Sequence, residues 1–474
     1  MFGMNKSFSI TDALREEQEM SLARKLGIVA KLSMPGILAQ IAEILMQYID
    51  AAMVGGLGAE ASASIGVVAS TTWLFGSLNS ACVAGFSVQV AHAIGAGDDK
   101  RARSIFRQSL IVTTCMALVL LGIGMAVGQV LPQWLGADPA IHDNARKYFM
   151  IYSMFLPVRT WFNLMGQMLQ RSGNMKIPSI LTTLMCLLDV VFNYFLIFPT
   201  RQVVLPFGTV MMPGAGMGVL GAQLGTSLSF AVCAACLAYY AVIRSDRLAL
   251  IHEKASWMPR REVLSEAVRI GVPMAFEQSA LSLAQVVQTK IVAPLGTIAL
   301  AANSFAVTAE SICYMPGYGI SSAATTLVGQ SFGARRRDLA ESFAWLTTFV
   351  GIAVMSLTGI VMYFICPAVF AFLTPVKEVQ ELGVKVLRIE LFAEPMFAAS
   401  IVATGSLRGA GDTFVPGILN LVSIWGVRIT LAWLLTKTMG LPGAWIAMAA
   451  ELNFRGILFL IRMKRGKWLD RMDA

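Results

Sequence analysis

Twelve long apolar runs follow one another along this sequence. Each approaches or exceeds the roughly 20 residues that an α-helix needs to cross about 30 Å of hydrocarbon. A segment in lipid must satisfy its own backbone hydrogen bonds, so each run predicts a helix. The runs cover approximately residues 30–54, 61–90, 108–131, 147–169, 177–199, 216–243, 268–294, 300–328, 341–366, 382–406, 414–436 and 441–462. We therefore predict an all-α membrane protein with twelve transmembrane helices.

The composition agrees with a lipid environment. Hydrophobic residues make up 56% of the 474 residues and charged residues only 14%, against about 25% charged in an ordinary soluble domain. The net charge of +9 would suggest nucleic acid in a soluble protein. Here the basic residues stand in short clusters between apolar runs, which indicates membrane topology instead. We expect the bilayer, and no nucleic acid, as a partner.

The basic residues also predict the orientation. Most of the 37 lysines and arginines lie in alternate loops and near the two ends of the chain, for example at 100–107, 335–337 and 462–471. By the positive-inside rule these regions share the cytoplasmic side, so both termini are predicted to be cytoplasmic. Residues 1–26 lack the apolar core and cleavage site of a signal peptide, and we expect a cytoplasmic tail.

The two halves of the sequence repeat each other. A shift of 238 residues places Pro35 on Pro273 and Gly95 on Gly333. The same shift superimposes five further positions or pairs: Gln40 on Gln278, Leu57-Gly58 on Leu295-Gly296, Pro157 on Pro395, Gly173 on Gly411, and Pro178 on Pro416. Beyond them the first half carries a longer loop, about 199–216. An even number of spans in each half gives both copies one orientation, as in a parallel repeat.

This repeat predicts two six-helix bundles that face a central cleft. We expect the following division: a tail at 1–26, an N-lobe at 27–243, a cytoplasmic linker at 244–264, a C-lobe at 265–462, and a second tail at 463–474. Pro35 and Pro273 interrupt the first helix of each half, where a lost backbone hydrogen bond favours a kink.

Polar side chains inside the first-half spans are the strongest functional signal. An acid at mid-bilayer costs about 2.5–3.5 kcal/mol on insertion scales. Glu43 and Asp50 lie two turns apart in the first span, with Gln40 and Gln47 on much the same side. Asp189 and Asn193 share one face of the fifth span, and Thr226 lies in the sixth. Such oxygen ligands suit Na⁺, although a carboxylate could instead take a proton.

Two structural alternatives stay open for these aspartates. Asp50 is near the outer end of its span and could be interfacial, and Asp189 could hydrogen-bond to Arg159 for structural reasons. In the second half, Glu277, Gln278 and Glu310 are candidates for binding substrate or protons, and Glu390 and Glu394 in the tenth span are further candidates. Two other charged residues of the second half are expected to neutralise one another: Glu451 and Arg455. The cysteines and histidines predict no metal or catalytic cluster, so we do not expect an enzyme or a cofactor.

Several strings resemble the multidrug and toxic compound extrusion (MATE) family of secondary transporters over nearly the whole chain. The first half contains "YIDAAMVGGLG" and "AIGAGDDKRAR", and the second contains "IVAPLGTIALAANS", "SSAATTLVGQSFGARRRDLA" and "GSLRGAGDT". The resemblance implies a bacterial inner-membrane antiporter, by default a monomer, with its two six-helix bundles in a V-shaped arrangement that works by alternating access. It would export amphipathic, often cationic, compounds in exchange for Na⁺ or H⁺.

The resemblance also assigns roles to individual residues. Asp50 matches the family's first-helix aspartate, and Thr226 in "GVLGAQLGT" matches a threonine of its cation site. The family's fifth-helix Asn-x-x-x-Asp is reversed here to Asp189-x-x-x-Asn193. Phe397 stands where the NorM-like branch has an acid, so the chain looks closer to the DinF-like branch. The coupling ion and the substrate stay open.

Rival functions make different demands on the sequence. A flippase for lipid-linked saccharides would favour a cleft lined with arginines, because pyrophosphate is anionic. The acids within the spans argue against that function. A membrane enzyme would need a nucleophile with a base, or a metal cluster. A purely structural scaffold would not need Glu43, Asp50 and Asp189 inside the bilayer.

Overall fold

The helices of the first half follow the six predicted runs. The structure is a computed structural model that describes residues 20–205, 208–251 and 257–472. The first six spanning elements are α1 (Leu22–Gly55), α2 (Ala59–Gly95), α3 (Asp99–Gly128), α4 (His142–Met154 and Leu156–Arg171), α5 (Lys176–Ile197) and α6 (Val219–Tyr239, continued by a π-helical turn at Tyr240–Arg244). A short helix at Leu131–Trp134 and a 3₁₀ turn at Pro139–Ile141 connect α3 to α4.

The second half repeats this order. Its spanning elements are α7 (Arg261–Val292), α8 (Thr297–Gly333), α9 (Arg337–Leu373), α10 (Lys377–Leu391 and Glu394–Gly409), α11 (Phe414–Leu421, a π-helical segment Val422–Ile429, and Thr430–Met439) and α12 (Leu441–Lys464). Short 3₁₀ turns follow α7 at Ala293–Leu295 and α12 at Leu469–Met472. The predicted all-α membrane architecture is confirmed.

Nine helices in the described part of the chain are individually long and apolar enough to cross a membrane. The other three predicted spans differ for identifiable reasons. The α4 and α10 helices are each broken into two pieces of 16 residues or fewer. The α7 helix is continuous, but its polar residues lower its hydropathy; they include Glu277, Gln278, Gln285 and Gln288.

Four boundaries differ from the sequence prediction. The predicted loop at 199–216 is an antiparallel hairpin of β1 (Pro199–Leu205) and β2 (Gly208–Ala215). Helix α1 begins at Leu22, inside the predicted tail, and residues 1–19 lie outside the described residues. Helix α7 begins within the predicted linker, of which 252–256 are also not described. The predicted C-terminal tail packs on the second half through the buried Trp468, as far as residue 472.

The two halves contact each other in reciprocal pairs. A side chain at Gly95 would overlap the Gln330 carbonyl, and one at Gly333 would overlap the His92 carbonyl. The 238-residue shift relates Gly95 to Gly333 and His92 to Gln330. Equivalent patches that contact each other in this way are what a twofold relation between the halves produces. The geometry therefore agrees with the predicted parallel repeat.

Hydrogen bonds reinforce this contact on the side that carries the basic loops. Arg171 Nη1 donates to the Ser322 carbonyl at 2.8 Å and to Thr326 Oγ1 at 2.9 Å. Gln330 Nε2 donates to the Arg171 carbonyl at 2.8 Å. In addition, Gln89 Nε2 donates to a carbonyl of α7 at 3.0 Å. The halves are therefore joined on the predicted cytoplasmic side.

We expect Gly333→Val to destabilise this closed contact, because the His92 backbone carbonyl has no flexible end that could move aside. Overpacking of this kind typically costs about 1–3 kcal/mol. Gly66→Val is the matched control, since an added side chain there meets no atom within 4 Å. Thermal unfolding of the detergent-solubilised protein should show a lower midpoint for Gly333→Val alone. Equal midpoints of thermal unfolding for the two variants would contradict the close contact between Gly333 and the His92 carbonyl.

Candidate cation site and central cavity

A cavity of about 920 Å³ lies between the two halves. Many amide side chains line it, together with aromatic rings. The amides are Gln40, Gln47, Asn79, Asn163, Gln167, Gln170, Gln223 and Gln278, and the rings are those of Trp73, Tyr148, Tyr152, Phe162, Phe230 and Tyr318. Helices of both halves contribute, so a molecule bound there would contact both.

One side of this cavity leads to a polar cluster between α1 and α5. Asn193 Nδ2 donates to Asp50 Oδ1 at 2.9 Å and to Asp189 Oδ2 at 3.1 Å. Asp189 and Asn193 are fully buried, whereas Asp50 is half-buried and lines the cavity. The two amide hydrogens of one asparagine thus join two carboxylates from different helices.

Helix α6 closes the cluster from the third side. The Thr226 hydroxyl donates to the Ala222 carbonyl at 3.0 Å, and it is close enough to the Asp189 carboxylate to interact with it. Ser229 Oγ, which sequence reasoning missed, is 3.5 Å from Asp189 Oδ1. Only its spacing of three residues from Thr226 could have indicated it. The structure therefore brings Asp50, Asp189, Asn193 and Thr226 together.

A glycine permits this close approach of α6 to α5. A side chain at Gly225 would overlap Asn193 Oδ1, which has no hydrogen-bonding partner in the described chain. That oxygen, the two carboxylates and the Thr226 hydroxyl are all oxygen ligands of the kind that hard cations prefer. In the described residues, no group of three or more His, Cys, Asp or Glu side chains is placed to hold a metal ion.

No hydrogen bond or salt bridge joins Arg159 to Asp189, which was one of the alternatives, although the two are close enough to interact electrostatically. Its guanidinium carbon lies 4.9 Å from the centroid of the Tyr152 ring and 4.3 Å from that of Phe230. Cation–π contacts of this kind hold the charge beside the cavity. The hydrogen bonds to Asp189 come instead from the cluster itself.

The other candidates of α1 line the cavity. Gln40, Glu43 and Gln47 follow one another along its wall, towards Asp50. Within the described residues Glu43 has no hydrogen-bonding partner. A carboxylate without a partner beside aromatic and amide side chains is suited to contact a positively charged ligand.

The second-half candidates separate into two environments. Gln278 lines the cavity, but Glu277 is directed away from it, because successive helical residues point about 100° apart. Arg408 Nη2 lies 3.0 Å from Glu277 Oε2, and Asn420 Nδ2 donates to Glu277 Oε1 at 2.5 Å. Arg408 and Asn420 thus bind the carboxylate of Glu277. This carboxylate does not line the cavity, so the structure does not place it for substrate binding.

Glu310 lies within the second-half bundle rather than at the cavity. It is buried, as are Glu390 and Glu394. The predicted pair of Glu451 and Arg455 is confirmed at 3.2 Å. The Glu451 carboxylate also forms a salt bridge with Arg428 at 2.8 Å, and it accepts a hydrogen bond from the Ser423 hydroxyl at 2.6 Å.

Comparison with known proteins decides the family. The MatE family profile matches residues 35–195 and 273–434, one match in each half. The chain belongs to the MATE family of transporters. It is 28% identical to a probable multidrug resistance protein NorM of Thermotoga maritima, over 93% of this chain and 92% of that protein. MATE proteins are membrane transporters, and a multi-pass membrane location follows from the family.

Solved structures share the fold. An outward-facing multidrug resistance MATE transporter superposes with a TM-score of 0.86 at 20% identity, covering 98% of this chain and 99% of the other. A transporter of the MOP superfamily from Pyrococcus furiosus gives 0.86 at 19% identity, covering 98% and 100%. The shared fold has twelve helices in two lobes. Several curated relatives carry the name NorM, which leans away from the predicted DinF-like branch.

We expect Gly225→Ala to disturb the cluster by displacing the Asn193 amide. Losing a hydrogen bond to a charged group costs about 1.5–3 kcal/mol, so the concentration of driving ion at half-maximal transport should rise roughly tenfold or more. Gly122→Ala is the control, because an added side chain there meets no atom within 4 Å. Ion titration of ethidium transport in proteoliposomes checks this. The same half-maximal concentration in both variants would contradict it.

A second pair of variants separates binding from stability in α7. Glu277→Gln leaves Arg408 without its charged partner, which should cost about 3 kcal/mol, the lower end for buried pairs because Arg408 stays partly exposed. Gln278→Ala should keep the stability and weaken ethidium binding, followed by ethidium fluorescence. If Glu277→Gln instead bound ethidium more weakly and kept its stability, the result would support the predicted role of Glu277 in substrate binding.

Proposed function

We propose that this MATE-family chain is a secondary active multidrug efflux antiporter. It exports amphipathic, often cationic, small molecules in exchange for Na⁺ or H⁺ by alternating access. The observation that carries this proposal is the position of Asp50, which both lines the central cavity and accepts a hydrogen bond from Asn193. One side chain therefore belongs to the cavity and to the cation site.

The electrostatics of the site supply a coupling mechanism. Two ionised carboxylates in contact repel each other strongly where the dielectric constant is low. A sodium ion or a proton relieves this repulsion and draws α1 towards α5 through Asp50 and Asp189. Loss of the ion lets α1 relax. Since α1 also forms the cavity wall, ion occupancy changes the surface that the substrate meets.

The cavity lining supports the substrate class. Glu43 and Asp50 provide negative charge, and aromatic and amide side chains provide an adaptable surface for varied ligands. Three arginines also line the cavity: Arg159, Arg171 and Arg408. Arg159 contacts aromatic rings, Arg171 donates hydrogen bonds to backbone and hydroxyl oxygens of α8, and Arg408 forms a salt bridge with Glu277. Of these three, only Arg408 has a charged partner among the described residues, so the preference for an exporter over a flippase for lipid-linked pyrophosphates rests on the match to the MATE family.

The donor set suits sodium as well as a proton. Asp50, Asp189, Asn193 Oδ1 and Thr226 Oγ1 would supply oxygen ligands to Na⁺, and either aspartate could take a proton. The proposed setting is a bacterial inner membrane, with both termini cytoplasmic and the protein acting as a monomer. The names of the relatives lean towards the NorM-like branch, so no branch is included in this proposal.

The test is ethidium efflux from proteoliposomes under an imposed sodium or proton gradient. Asp50→Asn should abolish gradient-driven export, at least tenfold below wild type, while the protein remains folded by thermal unfolding. Asp143→Asn, an exposed substitution on α4, should leave export unchanged. Whichever gradient drives the wild-type protein identifies the coupling ion. Unchanged export by Asp50→Asn would remove Asp50 from the coupling role.

A further inference from the structure

A second cavity, of about 950 Å³, lies in the N-lobe, and the proposed function does not use it. It is a groove between α1 and α5, bounded at one end by the loop before α5 and by the turn after α6. Met34 and Leu38 of α1 line this groove and are exposed, whereas Gln40 and Glu43 line the central cavity. The groove therefore opens on the face of α1 that is turned away from the central cavity. We call it the α1–α5 groove.

The long walls of the α1–α5 groove are apolar. Met34 and Leu38 stand on α1, and Ile180, Leu184 and Leu187 stand on α5, and all five side chains are exposed. Intervals of three and four residues keep each set on one helix face. Leu187 lies about 16 Å along the helix axis from the start of α5. In a membrane, acyl chains cover an exposed apolar face of this length.

Basic side chains surround the end of the groove that the loop and the turn form. Lys31 of α1 and Lys176 of α5 line its two sides, and Arg247 lines it from the turn after α6. One acid, Asp246, also lines the groove, so the three basic side chains leave an excess of two positive charges. This end lies on the predicted cytoplasmic side, and basic pockets between helices on that side bind anionic lipid headgroups.

Membrane topology alone does not account for this charge. The positive-inside rule predicts basic residues at this level in both halves, but the equivalent places in the C-lobe are different. The 238-residue shift relates Lys31 to Arg269 and Lys176 to Phe414. Arg269 Nη1 lies 3.6 Å from Glu266 Oε2 on the same helix. The C-lobe thus has one base fewer and an acid beside the other, so the excess charge is particular to the N-lobe groove.

The charge also selects among possible occupants of the groove. A cationic amphipathic compound, the class proposed as substrate, would be repelled by the excess positive charge. A zwitterionic phospholipid would fit the apolar walls, but its own cationic group would meet the same bases. A phosphate with no cation beside it accepts charge-assisted hydrogen bonds from lysine and arginine. The basic end and the apolar walls therefore match the two parts of an anionic phospholipid.

We propose that the α1–α5 groove is a binding site for one anionic phospholipid of the cytoplasmic leaflet. Its phosphate contacts Lys31, Lys176 and Arg247, and an acyl chain lies along the exposed side chains of α1 and α5. The lipid joins α1 to α5 at the cytoplasmic end, whereas Asn193 joins the same two helices near Asp50. The site goes beyond the proposed efflux function and does not require it, so its tests are independent of transport.

Photo-crosslinking of the full-length wild-type protein tests the position of the lipid. Phosphatidylcholine vesicles carry an equal small fraction of either phosphatidylglycerol or phosphatidylcholine with a photoreactive acyl chain, and mass spectrometry maps the labelled peptides. The phosphatidylglycerol probe should label residues 34–38 and 180–187 at least roughly fivefold more than the phosphatidylcholine probe does. Equal labelling of these residues by the two probes would identify an ordinary surrounding lipid and overturn the proposal.

The C-lobe supplies the internal control for this experiment. The 238-residue shift leads from the groove to positions on α7 and α11 that are also apolar and exposed: Val272, Phe276, Ile418 and Val422. Without the excess positive charge, these positions should be labelled equally by the two probes. The same preference for phosphatidylglycerol there would also overturn the proposal, because the preference would then not belong to the groove.

A pair of double variants tests the role of the charges. Lys31→Gln combined with Lys176→Gln should raise the fraction of phosphatidylglycerol probe needed for half-maximal labelling roughly tenfold or more. Lys464→Gln combined with Lys467→Gln is the matched control, since both lysines are exposed on the predicted cytoplasmic side and lie outside the groove. Thermal unfolding checks that both proteins are folded. An unchanged half-maximal fraction in the groove variant would overturn the assignment of the phosphate. If that variant does not fold, the labelling of the wild-type protein decides.

Discussion

The Asn193 amide bonded to two carboxylates is the interaction on which the rest of the N-lobe depends. Its Nδ2 atom joins Asp50 of α1, which lines the cavity, to the fully buried Asp189 of α5, at 2.9 and 3.1 Å. Among the described residues neither carboxylate forms a salt bridge with a basic side chain, although Arg159 lies close enough to Asp189 to interact electrostatically. In the proposed mechanism a mobile positive charge stabilises the pair, and α1, which forms the cavity wall, moves when that charge binds or leaves.

The internal repeat gives both halves the same helical framework, whereas the side chains in their interiors differ. Reciprocal contacts such as Gly95 with Gln330 and Gly333 with His92 keep the twofold relation on the basic side. The interiors of the two halves no longer match. Where the N-lobe has Tyr152 donating to the Thr72 carbonyl, the C-lobe has Glu390 and Glu310 at the positions related by the 238-residue shift. Equivalent positions thus carry different chemistry in the two halves.

The architecture could be predicted from the sequence, because lipid forces long apolar runs into helices and the repeat fixes their pairing. The composition of the N-lobe cluster was also visible, since a four-residue interval places Asp189 and Asn193 on one face. Other features depend on packing between distant segments. The sequence could not show that Arg408 and Asn420 bind the Glu277 carboxylate, since both lie more than 130 residues from Glu277 along the chain. Nor could it show the hairpin after α5 or the breaks in α4 and α10.

The most direct measurement of the central claim is the distance between the halves on the basic side. Spin labels replacing the exposed Lys100 and Glu341, in a background without native cysteines, report it by double electron–electron resonance. Saturating driving ion should change the populations of short and long distances in the otherwise wild-type protein and leave them unchanged in Asp50→Asn. The same ion-dependent shift in both proteins would contradict the claim that ion occupancy at Asp50 sets which way the cavity faces.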